Sequence, residues 1–239
     1  MRLFFTFLLI LVVLAGFLAY RWFQTDGAGT RYVFEWLRNP GAHPEWAVKA
    51  GERCGDAPFI LPTNGLIGFL WGDSFRPGHR HQGLDIFGGE VVNLTPVVAA
   101  YPGYLTRQAD WKSTVIIRIP EDPLQTGRQI WTYYTHMADP AGNSFISPEF
   151  PPGTREVFVE AGTLLGHQGN YSGDPGNPVG THLHFSIVLD DGQGQYRNEL
   201  EIENTLDPSP YLGLPVNAYQ NQGQVPICPS SVNVVEGQE

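Results

Sequence analysis

Histidines at positions 182 and 184 lie in the run Gly-Thr-His-Leu-His-Phe-Ser-Ile, residues 180–187, which otherwise reads as a strand. Alternate side chains of a strand share a face. Both imidazoles therefore point one way, and Leu183 and Phe185 point the other way, towards a core. Far upstream, His81-Gln82-Gly83-Leu84-Asp85 supplies an imidazole and a carboxylate four residues apart. Gly83, Gly88 and Gly89 argue against a helix there, and on a strand positions i and i+4 also share a face. Two imidazoles and one carboxylate, drawn from His81, Asp85 and either His184 or His182, have the ligand chemistry of a catalytic zinc site with its fourth position open to water. The same donors suit iron, manganese, nickel or copper, with zinc preferred. A pair of surface histidines would account for His-x-His alone but leaves the second cluster unexplained.

Four motifs occur in order: His81-x-x-x-Asp85, Tyr134-Thr135-His136, Gly162-Thr163-Leu164-Leu165-Gly166 and Gly180-Thr181-His182-Leu183-His184-Phe185. Together they resemble the lysostaphin-type (LytM-like) zinc endopeptidases that cut peptidoglycan cross-links. The similarity spans residues 65–189, about half of the chain on a domain-sized count. It implies an antiparallel β-sheet domain holding one zinc ion on His81, Asp85 and His184, with His136 and His182 as unliganded catalytic histidines. None of these five positions departs from the pattern. The substrate implied is a peptidoglycan peptide. Of the two histidines, one would act as general base, since an imidazole titrates near working pH, and the other would steady the oxyanion. His182 is preferred as the base. The rival class is a non-catalytic module of the same fold that binds cell wall or regulates another wall hydrolase. Such relatives usually lack a ligand, and all five positions are filled here.

Other nucleophilic chemistries fit less well. Gly169-Asn170-Tyr171-Ser172-Gly173 places its serine one residue late for a nucleophile elbow, and no phosphate-cradling Gly-x-x-x-x-Gly-Lys occurs. His79 is an alternative to His81, disfavoured by the spacing to Asp85. His167 reads as structural and His43 as a surface residue.

The elements that must position these residues are short. With 28 glycines and 20 prolines among 239 residues, the composition favours a mostly β fold over long helices. A formal net charge of −10 speaks against a nucleic-acid partner. Strands are predicted at 66–71, 83–86, 96–100, 103–107, 114–119, 129–136, 157–159, 164–168 and 182–189. The segments 114–119 and 129–136 read as a hairpin that holds His136 at a strand end. Loops 138–154 and 169–179, rich in Gly, Pro, Asn and Ser, are candidate walls of a groove. Trp131, Tyr133, Tyr171 and Tyr196 are candidate aromatics to line it.

Residues 3–20 form a nearly uninterrupted apolar run without charge, long enough at ~1.5 Å per residue to cross a membrane. Tyr20, Trp22 and Phe23 follow as an interfacial belt. An uncleaved anchor is preferred to a signal peptide, because no cleavage site stands near Ala15 or Ala19. Either reading puts the rest of the chain outside the cytoplasm, membrane-anchored or secreted. The organisation expected is residues 1–23 as anchor or signal segment, 24–58 as stalk or linker with a short helix at 32–37, 59–215 as the metallopeptidase domain, and 216–239 as a partly disordered extension. Trp36, Trp46 and Val48 are costly to leave in water, so the stalk is expected to dock in part. In an exported protein the two cysteines, Cys54 and Cys228, are expected to pair.

Overall fold

The structure is a computed structural model and describes residues 10–17, 28–74 and 78–228. Most of the apolar run 3–20 therefore lies outside the described residues, as does the extension from 229 onward. Residues 10–17 are helical. Among the described residues no helix is long and apolar enough to cross a membrane.

Among the described residues eleven strands follow one another: β1 (Ala47–Val48), β2 (Gly65–Phe69), β3 (Leu84–Phe87), β4 (Pro96–Val98), β5 (Gly103–Thr106), β6 (Val115–Ile119), β7 (Ile130–Thr135), β8 (Val157–Val159), β9 (Leu164–His167), β10 (Leu183–Leu189) and β11 (Thr205–Leu206). The main sheet has nine strands in the order β1-β2-β3-β10-β7-β6-β5-β8, with β11 also paired to β10. β4 and β9 form a separate pair. Every strand pairing is antiparallel, as the frequency of short apolar runs predicts. Branched and aromatic residues dominate β6 (Val-Ile-Ile-Arg-Ile) and β7 (Ile-Trp-Thr-Tyr-Tyr-Thr), the composition that suits a pleated, half-buried surface.

The two faces of the sheet separate core from site. Leu183, Phe185 and Ile187 on β10, Ile130 and Tyr134 on β7, and Val115, Ile117 and Ile119 on β6 all enter one core. The alternate residues face the other way. Leu183 and Phe185 are fully buried, so the alternation read from the sequence holds on β10. The β6–β7 hairpin is present in register Val115↔Tyr134 to Ile119↔Ile130, and it delivers His136 immediately after β7.

Residues 28–58 pack against the sheet more extensively than a stalk would. The helix is longer than expected, Ala28–Arg38, and Val33 and Trp36 form a buried cluster with Leu66 of β2 and Phe87 of β3. The Trp36 Nε1–H donates to the Phe87 carbonyl at 3.0 Å. Burying such side chains contributes ~1.5–3 kcal/mol each, enough to hold the helix on the domain. At the other end, Leu214 and Val216 enter the main core, and Cys228 is bonded to Cys54. Within the extension expected from residue 216, Val216, Ala218 and Cys228 are thus tied to the domain.

Candidate metal centre and catalytic cleft

Three adjacent strands assemble the site. In the register of β10, His184 lies opposite Asp85 of β3 on one side and Thr135 of β7 on the other. His81 reaches the same point from a loop and not, as the spacing suggested, from the strand itself, which starts at Leu84. That loop is held by main-chain bonds, His81 N–H to the Asp73 carbonyl at 2.7 Å and Gly72 N–H to the His81 carbonyl at 2.8 Å. Gly83, read from the sequence only as a helix breaker, has a steric reason to be glycine. A Cβ there would stand 2.3 Å from the Phe185 carbonyl oxygen and 3.0 Å from His184 Nε2.

His81 Nε2, Asp85 Oδ1 and His184 Nδ1 form a triangle with sides of 3.1 Å (His81–Asp85), 3.1 Å (His81–His184) and 2.9 Å (His184–Asp85). This is the group of donors among the described residues that could hold a metal ion. A tetrahedral zinc with bonds of ~2.0–2.1 Å separates its ligand atoms by about 3.3 Å, so the donors stand a few tenths of an ångström inside that spacing. The tautomers fit as well. The His81 Nδ1–H donates to the Leu70 carbonyl at 3.0 Å, which leaves its Nε2 lone pair facing the centre, the usual arrangement behind a metal-ligating histidine. The donor set of two imidazoles and a carboxylate, converging on one point, suits a divalent ion.

His136 and His182 stand beside this triangle. Their ring centroids are 4.5 Å apart, and His136 lies 6.2 Å from His184. Each is held through Nδ1 by a main-chain carbonyl, His136 by Tyr171 at 2.6 Å and His182 by Gly180 at 2.6 Å. Each therefore keeps Nε2 as a proton acceptor. His182 Nε2 is 3.5 Å from Asp85 Oδ1. His136 adopts a positive φ of 74°, a conformation that costs a non-glycine residue roughly 1–2 kcal/mol and is concentrated at functional sites.

Electrostatics divide the five residues. Burial works to raise the Asp85 carboxyl, but the His81 and His182 imidazoles outweigh it and hold the group well below the carboxylate range. Burial works to lower His81, and the Asp85 carboxylate overrides it, so His81 is raised. His184 is lowered by burial in spite of Asp85. His136 is pushed down to about 3 by burial and by the neighbouring His182 and His184, which keeps it neutral.

The triangle opens into a cleft of ≈ 560 Å³. One wall is the loop carrying Trp111, Lys112 and Ser113, with Thr114, and the opposite wall carries Glu199 and Leu200. Tyr171 to Gly173, from loop 169–179, close the side next to His136. Two expectations need correction. Loop 138–154 lines no part of the cleft. Of the four candidate aromatics only Tyr133 and Tyr171 line it, whereas Trp131 and Tyr196 lie beyond its end. The Tyr133 hydroxyl is raised by burial and by Glu199 and so stays protonated. Trp111 and Glu199 carried no sequence signal, since neither lies in a spaced motif.

The remaining histidines stand apart. His79 lines the cleft and an adjoining hollow but is outside the donor triangle. His167 ends β9 and lines no part of the cleft. His43 stacks on Trp46 with ring centroids 3.7 Å apart.

No protein-family model and no curated protein matches the sequence. Among solved structures, the chain is similar to the catalytic domain of the antimicrobial peptidase lysostaphin from Staphylococcus simulans, at 18% identity and a TM-score of 0.40, over 61% of this chain and 90% of that one. It is also similar to lysostaphin itself, at 19% identity and a TM-score of 0.39 over 62% of this chain; the match spans about half (49%) of the lysostaphin chain. A third is the catalytic domain of the prophage-encoded M23 protein EnpA from Enterococcus faecalis, at 20% identity and a TM-score of 0.36, over 62% of this chain and 93% of that one. At such identities and TM-scores, the chemistry of the site rests on its own residues.

Proposed function

We propose that the protein is a zinc-dependent endopeptidase of the lysostaphin type that hydrolyses peptide cross-links of peptidoglycan. The observation that carries this reading is the convergence of His81 Nε2, Asp85 Oδ1 and His184 Nδ1 within 3.1 Å of one another, beside two further histidines that are held but unliganded. Zinc held by the three donors would supply Lewis acidity at the scissile carbonyl and activate water.

This chain's own residues then have distinct tasks. His182, whose Nε2 faces the cleft 3.5 Å from Asp85 Oδ1, is placed to take a proton from the attacking water. It would pass that proton to the departing amine. His136, kept neutral and anchored by Tyr171, faces the same point from β7 and would orient the carbonyl oxygen or the water. Tyr133, a protonated donor on the cleft wall, would bind the substrate's main chain. The Cys54–Cys228 bond and the apolar residues 3–20 support an extracytoplasmic domain, anchored to the membrane or secreted.

The test is to load the purified chain with zinc and incubate it with cross-linked muropeptides, with and without a chelator. Chelator-sensitive release of the uncross-linked halves is the result expected. A protein that holds zinc, keeps both histidines and cuts nothing would be the non-catalytic module that binds wall or regulates another hydrolase.

A further inference from the structure

The sheet face that carries His184 and Thr135 continues along β10 to Val188 and along β7 to Tyr133 and Trp131, with Ile116 of β6 beside them. In an open groove this floor would be exposed. Instead Ile116, Trp131 and Val188 are buried under Trp111, Tyr133 and Tyr196. Trp111 meets Tyr133 edge-on at 6.2 Å and Tyr196 at 6.1 Å, and Tyr196 meets Trp131 at 5.6 Å. The Gln108 Nε2–H donates to the Tyr196 hydroxyl at 2.6 Å. Two loops from opposite sides of the cleft thus touch across the sheet.

Both loops are anchored from below. Arg107, only 5% exposed, donates from Nε to the Trp111 carbonyl at 3.1 Å, from Nη1 to the Phe150 carbonyl at 2.9 Å and from Nη2 to Ser144 Oγ at 3.0 Å. On the other side, Asp190 Oδ2 accepts from Trp131 Nε1 at 3.0 Å and from Gln129 Nε2 at 2.6 Å, while Oδ1 accepts from the Gly192 and Gly194 amides. The bridge is built into the fold. It divides the face in two, because the catalytic cleft and the hollow of ≈ 670 Å³ beyond it share Asp110 alone among their lining residues.

Resting on the peptidase reading above, we infer that this clasp ends the substrate groove, so that one flank of the peptide must terminate within about two residues of the bond that is cut. Tyr133 lies two residues along β7 from Thr135, which is opposite His184, and at ~3.3 Å per residue the closed end is about 7 Å from the level of the donor triangle. An extended chain has room for about two residues in that distance. Among the described residues, the opposite flank, past Tyr171, carries no such aromatic bridge. The substrate this shape accepts is a short branch or a chain end, not the middle of a long polypeptide.

The test starts from the shortest peptide that the zinc-loaded chain cleaves, extended by a flexible Gly-Ser tail on its amino flank or on its carboxyl flank. One extension should leave kcat/KM unchanged and the other should lower it at least about tenfold. In Trp111→Ala/Tyr196→Ala, with zinc content and melting temperature checked, the disfavoured extension should be cleaved nearly as well as the other. Gln108→Ala/Tyr196→Phe, which keeps the rings but removes the hydrogen bond across the clasp, should recover part of that loss, and it serves if the first variant does not fold. Equal kcat/KM for both extensions in the unaltered chain, or no recovery in a folded variant, overturns the inference. If no peptide is cleaved, the peptidase reading fails on its own. Titration of the two extended peptides by tryptophan fluorescence then decides the clasp, and equal affinities or no binding would overturn it.

Discussion

The main chain of Gly169 runs between those of His136 and His182. Its carbonyl accepts the His182 amide at 3.1 Å, and a Cβ at residue 169 would stand 2.5 Å from the His136 carbonyl oxygen and 2.2 Å from that of Ala138. One glycine therefore sets the spacing of both proposed catalytic histidines. Because the atoms in the way are backbone, Gly169→Ala must push the 136–138 turn away from β10. Overpacking of this kind costs ~1–3 kcal/mol, and a displacement of about 1 Å at a catalytic group can cost about 10²-fold in rate. The expected variant folds with a lowered melting temperature, keeps its zinc and cleaves about a hundredfold more slowly. Wild-type kinetics would show that the two histidines need no fixed spacing.

Metal binding should depend on the donor triangle and on nothing else nearby. With His184→Ala, Asp85 and His81 alone cannot hold an open tetrahedral site. Zinc measured by mass spectrometry after gel filtration should fall from about one per chain to a small fraction. Retention of full stoichiometry would move the ligand role to His182, whose Nε2 is 3.5 Å from Asp85 Oδ1.

That His182 and His184 share a face, with Leu183 and Phe185 opposite, was legible because a strand's period of two is rigid; the period left open which of the two joins His81 and Asp85, and only the family resemblance chose His184. The hairpin that ends at His136 was legible for the same reason, from two β-branched runs around a turn. The predicted strand 83–86 leaves His81 outside it, and the loop that carries His81, held by main-chain bonds to Asp73 and Gly72, leaves no periodic trace. The docked helix Ala28–Arg38 was underestimated because its apolar stripe is narrow, Val33 and Trp36 going in while Phe34 stays out at 66% exposure. The role of Trp111 and Tyr196 depends on contacts between loops 85 residues apart in sequence, and no local pattern encodes such a meeting.

The Cys54–Cys228 bond joins positions 174 residues apart. In the chain-entropy model, constraining so long a loop in the unfolded state stabilises the fold by at most about 5 kcal/mol, and real bridges often deliver less. Cys54 is in the main core and Cys228 packs against it, so reduction should lower the denaturant midpoint while the site at β3, β7 and β10 keeps its zinc. An unchanged midpoint after complete reduction and alkylation would mean that core packing alone holds the chain's ends.

Asp190 gives the clasp a pH dependence whose sign is fixed. Burial works to raise its carboxyl, and the Trp131 and Gln129 side chains with the Gly192 and Gly194 amides outweigh that and lower it. A carboxyl depressed in the folded state contributes stability that is present above its unfolded pKa of about 3.9 and is lost as pH falls through the lower folded value. The group is half-buried and partly screened by solvent, so the contribution is modest. Melting temperatures recorded from pH 5 down to pH 3 should fall more steeply for the unaltered chain than for Asp190→Asn, which lacks the titrating group. Parallel curves would remove Asp190 from the clasp's support.

Chemistry and metal binding should separate at His136 and His182. Neither belongs to the donor triangle, and each is fixed through Nδ1 by a main-chain carbonyl, Tyr171 for one and Gly180 for the other. Alanine at either position should leave zinc near one per chain. Loss of the proton-transferring histidine typically costs 10² to 10⁴ in rate and loss of a single oxyanion partner about 10² to 10³, well beyond what mild loosening of the cleft produces. His167→Ala, at the end of β9 and outside the cleft, is the control and should stay within about twofold. Zinc lost from His182→Ala would show that the triangle was drawn with the wrong histidine, and full activity in both variants would end the two-histidine mechanism.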